Sequence, residues 1–470
     1  MRRTTAVALL TCVALAGGYL ALDVLDVAPG VLTLAPPPDP PAPAPTPSTP
    51  TGLPTLPAPG MPLPTVAASA PAPSPAGLQA ALAPILADPA LAGSVSAVVR
   101  DGVTGAHLLD LAPDTPRVPA SVLKLPTAAA VAAALPAGAS ADTTVVLEAS
   151  GARVVLVAGG DTLLDPGPGD PDAVAGHAGL GTLAAQTAQA LRARGIGQIS
   201  LGLDVSYAAG PPVAPTWPPS LVADGLTGPV TMLGLATHRA VPGAPAPVDP
   251  PAQTLAEFAA RLAEQSVQAA VEPSAGPAAP GAIEVARVRS APLVDQLALA
   301  LVDSDNALTE TLARQAAARA GGGTDFAGTA AWVRATLSGL GVDLAGTDTV
   351  DASGLSRQNL LPARVVGDVL ALGAGERLPA WRGALAALAV AHLSGTLTDR
   401  FADGSATAGA GLVRGKTGTL TGVDSLAGTV VTMDGRLLLF AVLHQGGRGT
   451  AITRAALDRF GATLASCGCR

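Results

Sequence analysis

Lysine is nearly missing from this 470-residue chain: of 27 basic residues 25 are Arg, leaving only Lys124 and Lys416. Asparagine is as scarce, with Asn306 and Asn359 alone. Aromatic residues make up 2%, and cysteine occurs only at positions 12, 467 and 469. Three cysteines cannot build a disulfide framework. The histidines, His107, His177, His238, His392 and His444, stand singly, which argues against a Cys/His zinc site. A formal net charge of −8 without a long basic run argues against nucleic acid as the main partner. With 49% hydrophobic residues the chain is too apolar to be disordered throughout.

The missing lysines point to the ones that stayed. Heavy use of Ala, Gly, Pro and Arg suggests a coding bias that removes Lys wherever another residue serves. Arg replaces Lys on a surface at little cost. It cannot replace Lys where a proton must leave the side chain, because guanidinium stays protonated. Lys124 and Lys416 are therefore the first candidates for chemistry.

The chain opens with Met1-Arg2-Arg3-Thr4-Thr5 and an apolar run from Ala6 to Leu22. Residues 1–30 read as an export signal or a membrane anchor, either of which puts the bulk of the chain outside the cytoplasm. Leu9-Leu10-Thr11 before Cys12 lacks the small residue expected at a lipidation site. Between Pro36 and Pro75, 17 of 40 residues are Pro. Residues 31–77 read as an extended linker, which at about 3.1 Å per residue spans on the order of 100 Å.

Folded sequence is expected from about Gly77. Leu78 to Leu91 reads as a helix, Ser94 to Arg100 and Ala106 to Leu111 as strands about an Asp101-Gly102 turn, and Ser121 to Leu135 as a helix. From Thr143 to about Ser290, short β-like runs (Thr144 to Leu147, Val154 to Val157, Ile199 to Leu203) alternate with Gly/Pro-rich loops, with one helix from Leu255 to Gln265. Helices return from Val294 to Val302 and from Ala307 to Ala320, broken at Asp303-Ser304-Asp305. Ser425 to Val431 and Arg436 to Leu443 form a hairpin about Met433-Asp434-Gly435, and a helix from Thr450 to Leu464 closes the chain. This order suggests an α+β domain interrupted by another.

Three short motifs hold both lysines and one asparagine. Ser121 and Lys124, three apart on a helix, share a face, so the amine can reach the hydroxyl and act as its base once burial lowers its pKa. Asn306 and Ser304 sit in the break between two helices, where a loop projects both into a cleft. Lys416-Thr417-Gly418, on a strand, places a cation and hydroxyls beside a substrate, and Gly418 permits close approach. No Gly-rich loop with phosphate-binding spacing precedes Lys416.

Ser121-x-x-Lys124, Ser304-x-Asn306 and Lys416-Thr417-Gly418, in this order, resemble the three motifs of penicillin-recognising serine acyl-transfer enzymes. The 180 residues from Lys124 to Ser304 narrow the resemblance to the exported D-alanyl-D-alanine carboxypeptidase/endopeptidase family of low-molecular-mass penicillin-binding proteins, which carries an inserted domain there. Gly159-Gly160-Asp161-Thr162-Leu163, residues 351–360 and residues 395–400 are similar to that family too. The resemblance covers about Leu78 to Arg470. It implies a β-lactamase/transpeptidase-like domain, an antiparallel sheet flanked by helices, at 78–140 and 291–470, and an inserted domain; the change of composition and the excess length between the first two motifs make residues 141–290 a β-rich insert expected to shape substrate choice rather than chemistry.

The resemblance also implies roles. Ser121 is the nucleophile and Lys124 its base, with the backbone N–H groups of Ser121 and Thr419 as oxyanion hole. Ser304 and Lys416 relay a proton to the leaving amine, Asn306 holds the substrate backbone, and Lys416, Thr417 and Thr419 face its terminal carboxylate. Gly418 lines the same strand. Arg357 and Asp161 are expected to bind the carboxylate and the amine of a diaminopimelate side chain. No metal or cofactor is needed. The expected partners are peptidoglycan stem peptides and β-lactam antibiotics. A serine β-lactamase shares the motifs, but the chain lacks Glu-x-x-Leu-Asn and Tyr-x-Asn, the deacylation devices of such enzymes. A penicillin-sensing module that never turns over would not need every polar residue of the second and third motifs. Pro126 is expected to disturb the helix that carries Ser121. Cys467 and Cys469 are open to either a strained bridge or two free thiols.

Overall fold

The computed structural model describes residues 67–470 except positions 92, 93, 137, 376, 447 and 448. The N-terminal signal or anchor and residues 31–66 of the Pro-rich linker lie outside the described residues, and the last residues assigned to the linker already begin the first helix at Pro75. Among the described residues no helix is long and apolar enough to cross a membrane.

Helix α1 (Pro75–Leu86) leads into β1 (Val95–Asp101) and β2 (His107–Leu111), and a 3₁₀ turn (Ala120–Leu123) leads into α2 (Lys124–Ala134). Then come β3 (Asp142–Leu147), β4 (Arg153–Val157), α3 (Leu180–Arg192), β5 (Gln198–Asp204), the short α4 (Ser220–Ala223), α5 (Pro250–Glu264), β6 (Gln268–Val271) and β7 (Ile283–Arg289). Helices α6 (Leu293–Val302), α7 (Asn306–Arg319), α8 (Phe326–Gly339), α9 (Ala363–Ala374) and α10 (Pro379–Ala386) follow. The chain ends with β8 (Val413–Leu420), β9 (Val423–Val431), β10 (Leu437–Gln445) and α11 (Thr450–Ala465).

Two five-stranded sheets result. The first, in order β2-β1-β10-β9-β8, is antiparallel throughout. Successive side chains of β10 alternate between its faces. Leu439, Ala441 and Leu443 pack with α2, α6, α7 and α9, through residues such as Leu125, Leu297, Leu312 and Val366. Leu438, Phe440 and Val442 pack with α1 and α11, through Leu78, Leu82, Leu457 and Phe460. Burial on both faces explains why β9 and β10 read as continuous apolar runs. The fold is α+β, a sheet between two helical layers.

The second sheet, β6-β5-β4-β3-β7, draws all its strands from within residues 142–289. It is less purely β than expected. Parallel pairing of β4 with β5 and of β5 with β6 requires crossovers, which α3 and α5 supply, and Leu183, Leu191, Phe258 and Leu262 seal them onto the sheet. Helix α3 and strands β6 and β7 were not anticipated.

Pro126 does not disturb the nucleophile's helix. The α-helix starts at Lys124, so Pro126 is its third residue, in the first turn where a backbone donor has no partner to lose. Cys467 and Cys469 are joined by a disulfide.

Candidate active site

Ser121 stands on the 3₁₀ turn, after Ala120, whose φ of +48° is left-handed. That backbone costs energy for a residue with a Cβ and is held by its surroundings. Two glycines allow the fit. At Gly354 (φ +83°) a Cβ would lie 1.9 Å from Ala120 O, and at Gly418 one would lie 2.6 Å from Pro119 O. The nucleophile turn is therefore pressed between residues 351–360 on one side and β8 on the other.

Lys124, the first residue of α2, is fully buried. Its Nζ lies 3.0 Å from Ser121 Oγ and donates to Asn306 Oδ1 at 2.5 Å and Ser353 O at 2.8 Å. Burial lowers its pKa to about 8, while the carboxylates of Asp351, Glu310 and Asp305 oppose the shift. A neutral amine has two N–H donors and one lone pair. The two oxygens with no proton to give, Asn306 Oδ1 and Ser353 O, take the donors, and the lone pair is left for the Ser121 hydroxyl proton.

The second motif occupies the turn between α6 and α7. Ser304 has a φ of +58°, and Asp305 caps α7 by accepting from Leu308 N at 3.0 Å. Arg239 fixes this turn by donating to Asp303 Oδ2 at 2.8 Å and Asp305 Oδ2 at 2.9 Å. Among the described residues no hydrogen bond joins the Ser304 hydroxyl to Ser121 or Lys416; the turn brings Ser304 beside Asn306 without engaging it. Asn306 is committed on both sides, since its Nδ2 donates to Leu226 O at 2.6 Å.

The third motif lies on β8, an edge strand. Lys416 is fully buried and donates to Thr417 O at 2.9 Å. Burial, and then the charge of Lys124, push its pKa well below the lysine range. Thr417 Oγ1 donates to Thr396 Oγ1 at 2.9 Å, while Thr419 is exposed. Lys416, expected to face a substrate carboxylate, is thus buried with its amine turned to Thr417 O.

The two outlying residues part company. Arg357 is exposed and donates to Thr421 O at 2.8 Å, just past the end of β8. Asp161 is 1% exposed. It accepts from Leu163 N at 2.8 Å, and burial raises its pKa to about 7. Asp161, expected to bind a substrate amine, is thus buried in the turn whose backbone it accepts from.

Sequence reasoning missed the buried acids behind Lys124. Glu310 Oε1 accepts from Ala352 N at 2.9 Å and Ser353 N at 2.7 Å, which aims the Ser353 carbonyl. Asp351 accepts from Gly354 N, Ser356 N, Asn359 Nδ2 and Trp217 Nε1. Burial, with the Asp351 charge adding to it, raises the Glu310 pKa to about 7. The available signal was position: Glu310 lies one turn after Asn306 on the same face, and Asn359, the second of two asparagines, ties down this loop. Missed too were the residues from the second-sheet segment. Leu226 and Arg239 reach the second motif, and Trp217 reaches Asp351.

The D-Ala-D-Ala carboxypeptidase 3 (S13) family model matches residues 78–242 and 236–465. The chain is 36% identical over 399 residues to a carboxypeptidase, DacB, of Mycolicibacterium smegmatis, covering 84% of this chain and 85% of the relative. It is 35% identical over 405 residues to a carboxypeptidase of Mycobacterium tuberculosis, again covering 84% and 85%. In fold it is similar to penicillin-binding protein 4 of Haemophilus influenzae, with a TM-score of 0.64 at 18% identity over 82% of this chain and 98% of that one.

Proposed function

Because the chain belongs to the D-Ala-D-Ala carboxypeptidase 3 (S13) family, we propose that it removes the terminal D-alanine of peptidoglycan stem peptides through an acyl-enzyme on Ser121. It is a D-Ala-D-Ala carboxypeptidase of the penicillin-binding type, acting outside the cytoplasm. The observation that carries the mechanism is the 3.0 Å approach of Ser121 Oγ to the buried Lys124 Nζ.

Neutral Lys124 takes the Oγ proton as Oγ attacks the carbonyl carbon between the two D-alanines. The oxyanion is met by the backbone N–H groups of Ser121 and Thr419. As the tetrahedral centre collapses, the C–N bond breaks, and the proton passes by way of Ser304 and Lys416 to the departing D-alanine nitrogen. Burial and the neighbouring Lys124 charge lower the Lys416 pKa, which eases the release of a proton to the leaving group. Water then attacks the ester and frees Ser121. Penicillin enters by the same first step, its ring amide taking the place of the peptide bond. Arg357, exposed beside the end of β8, binds the carboxylate of the substrate's third side chain.

Residues 78–140 and 291–470 form the catalytic domain in this reading and 141–290 the insert. The N-terminal segment delivers the chain across the membrane or anchors it there. Steady release of D-alanine from a peptide ending in D-Ala-D-Ala tests the reading. Wild type should turn over and Ser121→Ala should not. A folded wild type that releases none would overturn it.

A further inference from the structure

The proposed reaction delivers a proton to the departing nitrogen, and Ser304 stands in that relay. No hydrogen bond to Ser121 or Lys416 aims its hydroxyl, so the backbone of its turn sets its direction. That backbone is left-handed at Ser304, with φ +58°, a conformation that a residue with a Cβ keeps only when its surroundings hold it. Arg239 supplies the hold. Its Nη2 donates to Asp303 Oδ2 at 2.8 Å and its Nε to Asp305 Oδ2 at 2.9 Å, so one guanidinium bridges the residues on either side of Ser304. The other carboxylate oxygen of Asp305 caps α7 through Leu308 N.

The guanidinium comes from the second-sheet segment, where the Gly159-Gly160-Asp161 turn builds its seat. Gly160 N donates to Met232 O at 2.9 Å, Gly234 N to Asp161 O at 3.2 Å, Leu164 N to Gly234 O at 3.2 Å and Ala236 N to Leu164 O at 2.8 Å. Residues 232–236 are thereby laced to 160–164. The 3₁₀ turn Ala236–His238 follows, and Arg239 comes directly after it. Asp161 closes the supporting turn from inside by accepting from Leu163 N. Asn306 depends less on this bridge, because Lys124 Nζ and Leu226 O hold its amide.

We propose that Arg239 is a positioning residue for proton delivery to the leaving group: by bridging Asp303 and Asp305 it fixes the left-handed turn that aims Ser304, and the Gly159-Gly160-Asp161 turn seats it. A guanidinium fork serves two carboxylates at once, which a point-charge ammonium does less well. This assignment rests on the acyl-transfer reading above and adds to it a residue, outside the three motifs, on which the relay depends.

The test compares a peptide ending in D-Ala-D-Ala with its thioester analogue, in which sulfur replaces the scissile nitrogen. When the amide is cut, the C–N bond breaks and the nitrogen must take up a proton. When the thioester is cut, the C–S bond breaks and the sulfur leaves as a thiolate without one. Arg239→Ala should therefore lose roughly tenfold to a hundredfold in kcat/KM on the amide, a part of what a positioned proton-transfer group contributes, and little on the thioester. A change in the basicity of Lys124 would touch both substrates alike and cancels in their ratio. Arg239→Lys should recover part of the amide rate. An equal fall on both substrates, or an amide rate close to wild type in the folded Ala variant, would overturn the assignment while leaving the acyl-transfer reading intact, since wild type still cleaves both. Should the Ala variant not fold, the Lys variant decides: its amide-to-thioester ratio should drop below wild type, and an unchanged ratio would overturn the assignment. A wild type that cleaves neither substrate and is not acylated by penicillin would overturn both.

Discussion

Two of the three groups within reach of the Lys124 amine have no proton to give, and the third is the Ser121 hydroxyl. Protonated, the amine would donate to all three and leave the hydroxyl without a base. Neutral, it matches them one for one. Lys124→Arg keeps the charge but removes the lone pair, because a guanidinium does not give up its proton. Acylation by penicillin should fall about 10²–10⁴-fold or more, and an Arg variant within a few-fold of wild type would refute the base role. The same residue sets the pH profile. Burial brings the amine down to about 8, so its neutral fraction grows as pH rises through that value. The acylation rate should climb from about pH 7 to about pH 9 and then level off, as expected for one base titrating. A rate that is flat or falls across this window would contradict the assignment.

At the scale of elements, the site is a junction of four: the 3₁₀ turn before α2, the turn before α7, strand β8 and residues 351–360. Close approach of β8 to the nucleophile turn depends on Gly418, where an added Cβ would meet Pro119 O at 2.6 Å and Ala120 Cβ at 3.2 Å. Gly418→Ala should push β8 off the turn, lowering both the melting temperature and the acylation rate. The neighbours are backbone atoms and a Cβ fixed to the backbone, which cannot step aside as a side-chain tip would. An Ala variant with both unchanged would show that the contact does not shape the site. The same elements show what could be read beforehand. Both lysines, the helix break at Ser304 and the β9–β10 hairpin were legible because each is a local signal: a rare residue, an interruption in a period, an Asp-Gly turn. The start of α2 at Lys124 was not, since Ser121 to Leu135 has one uninterrupted apolar pattern and tertiary contact with Gly354 and Gly418 decides where the turn tightens. Helix α3 was hidden among Gly-rich flanks. Glu310 and Asp351 carried no local sign of burial, which is a property of the whole fold.

Across the whole molecule, the second-sheet segment grips the helix that carries the second motif. Leu226 O takes Asn306 Nδ2, Pro211 O takes Arg314 Nη2 at 2.8 Å, and Gly160 O takes Gln315 Nε2 at 2.9 Å. These carbonyls explain how α7 buries Arg314 and Gln315 at 2% and 0% exposure. Trp217 adds a deeper tie, packing edge-on against Phe326 with ring centroids 5.1 Å apart and donating to Asp351 Oδ2 at 2.8 Å. Trp217→Phe keeps most of the packing and removes the donor. It should cost about 1.5–3 kcal/mol, the value of a hydrogen bond to a charged group, and should slow acylation by penicillin as well as cleavage of wall peptides. If stability and acylation both stay at wild-type levels while peptide cleavage alone declines, the segment serves substrate choice only. The central claim is a covalent bond at one oxygen. Mass spectrometry of the peptides from penicillin-treated protein should find the added mass of penicillin on the peptide that carries Ser121, and none in Ser121→Ala. An adduct on another residue, or none on the folded wild type, would contradict the account.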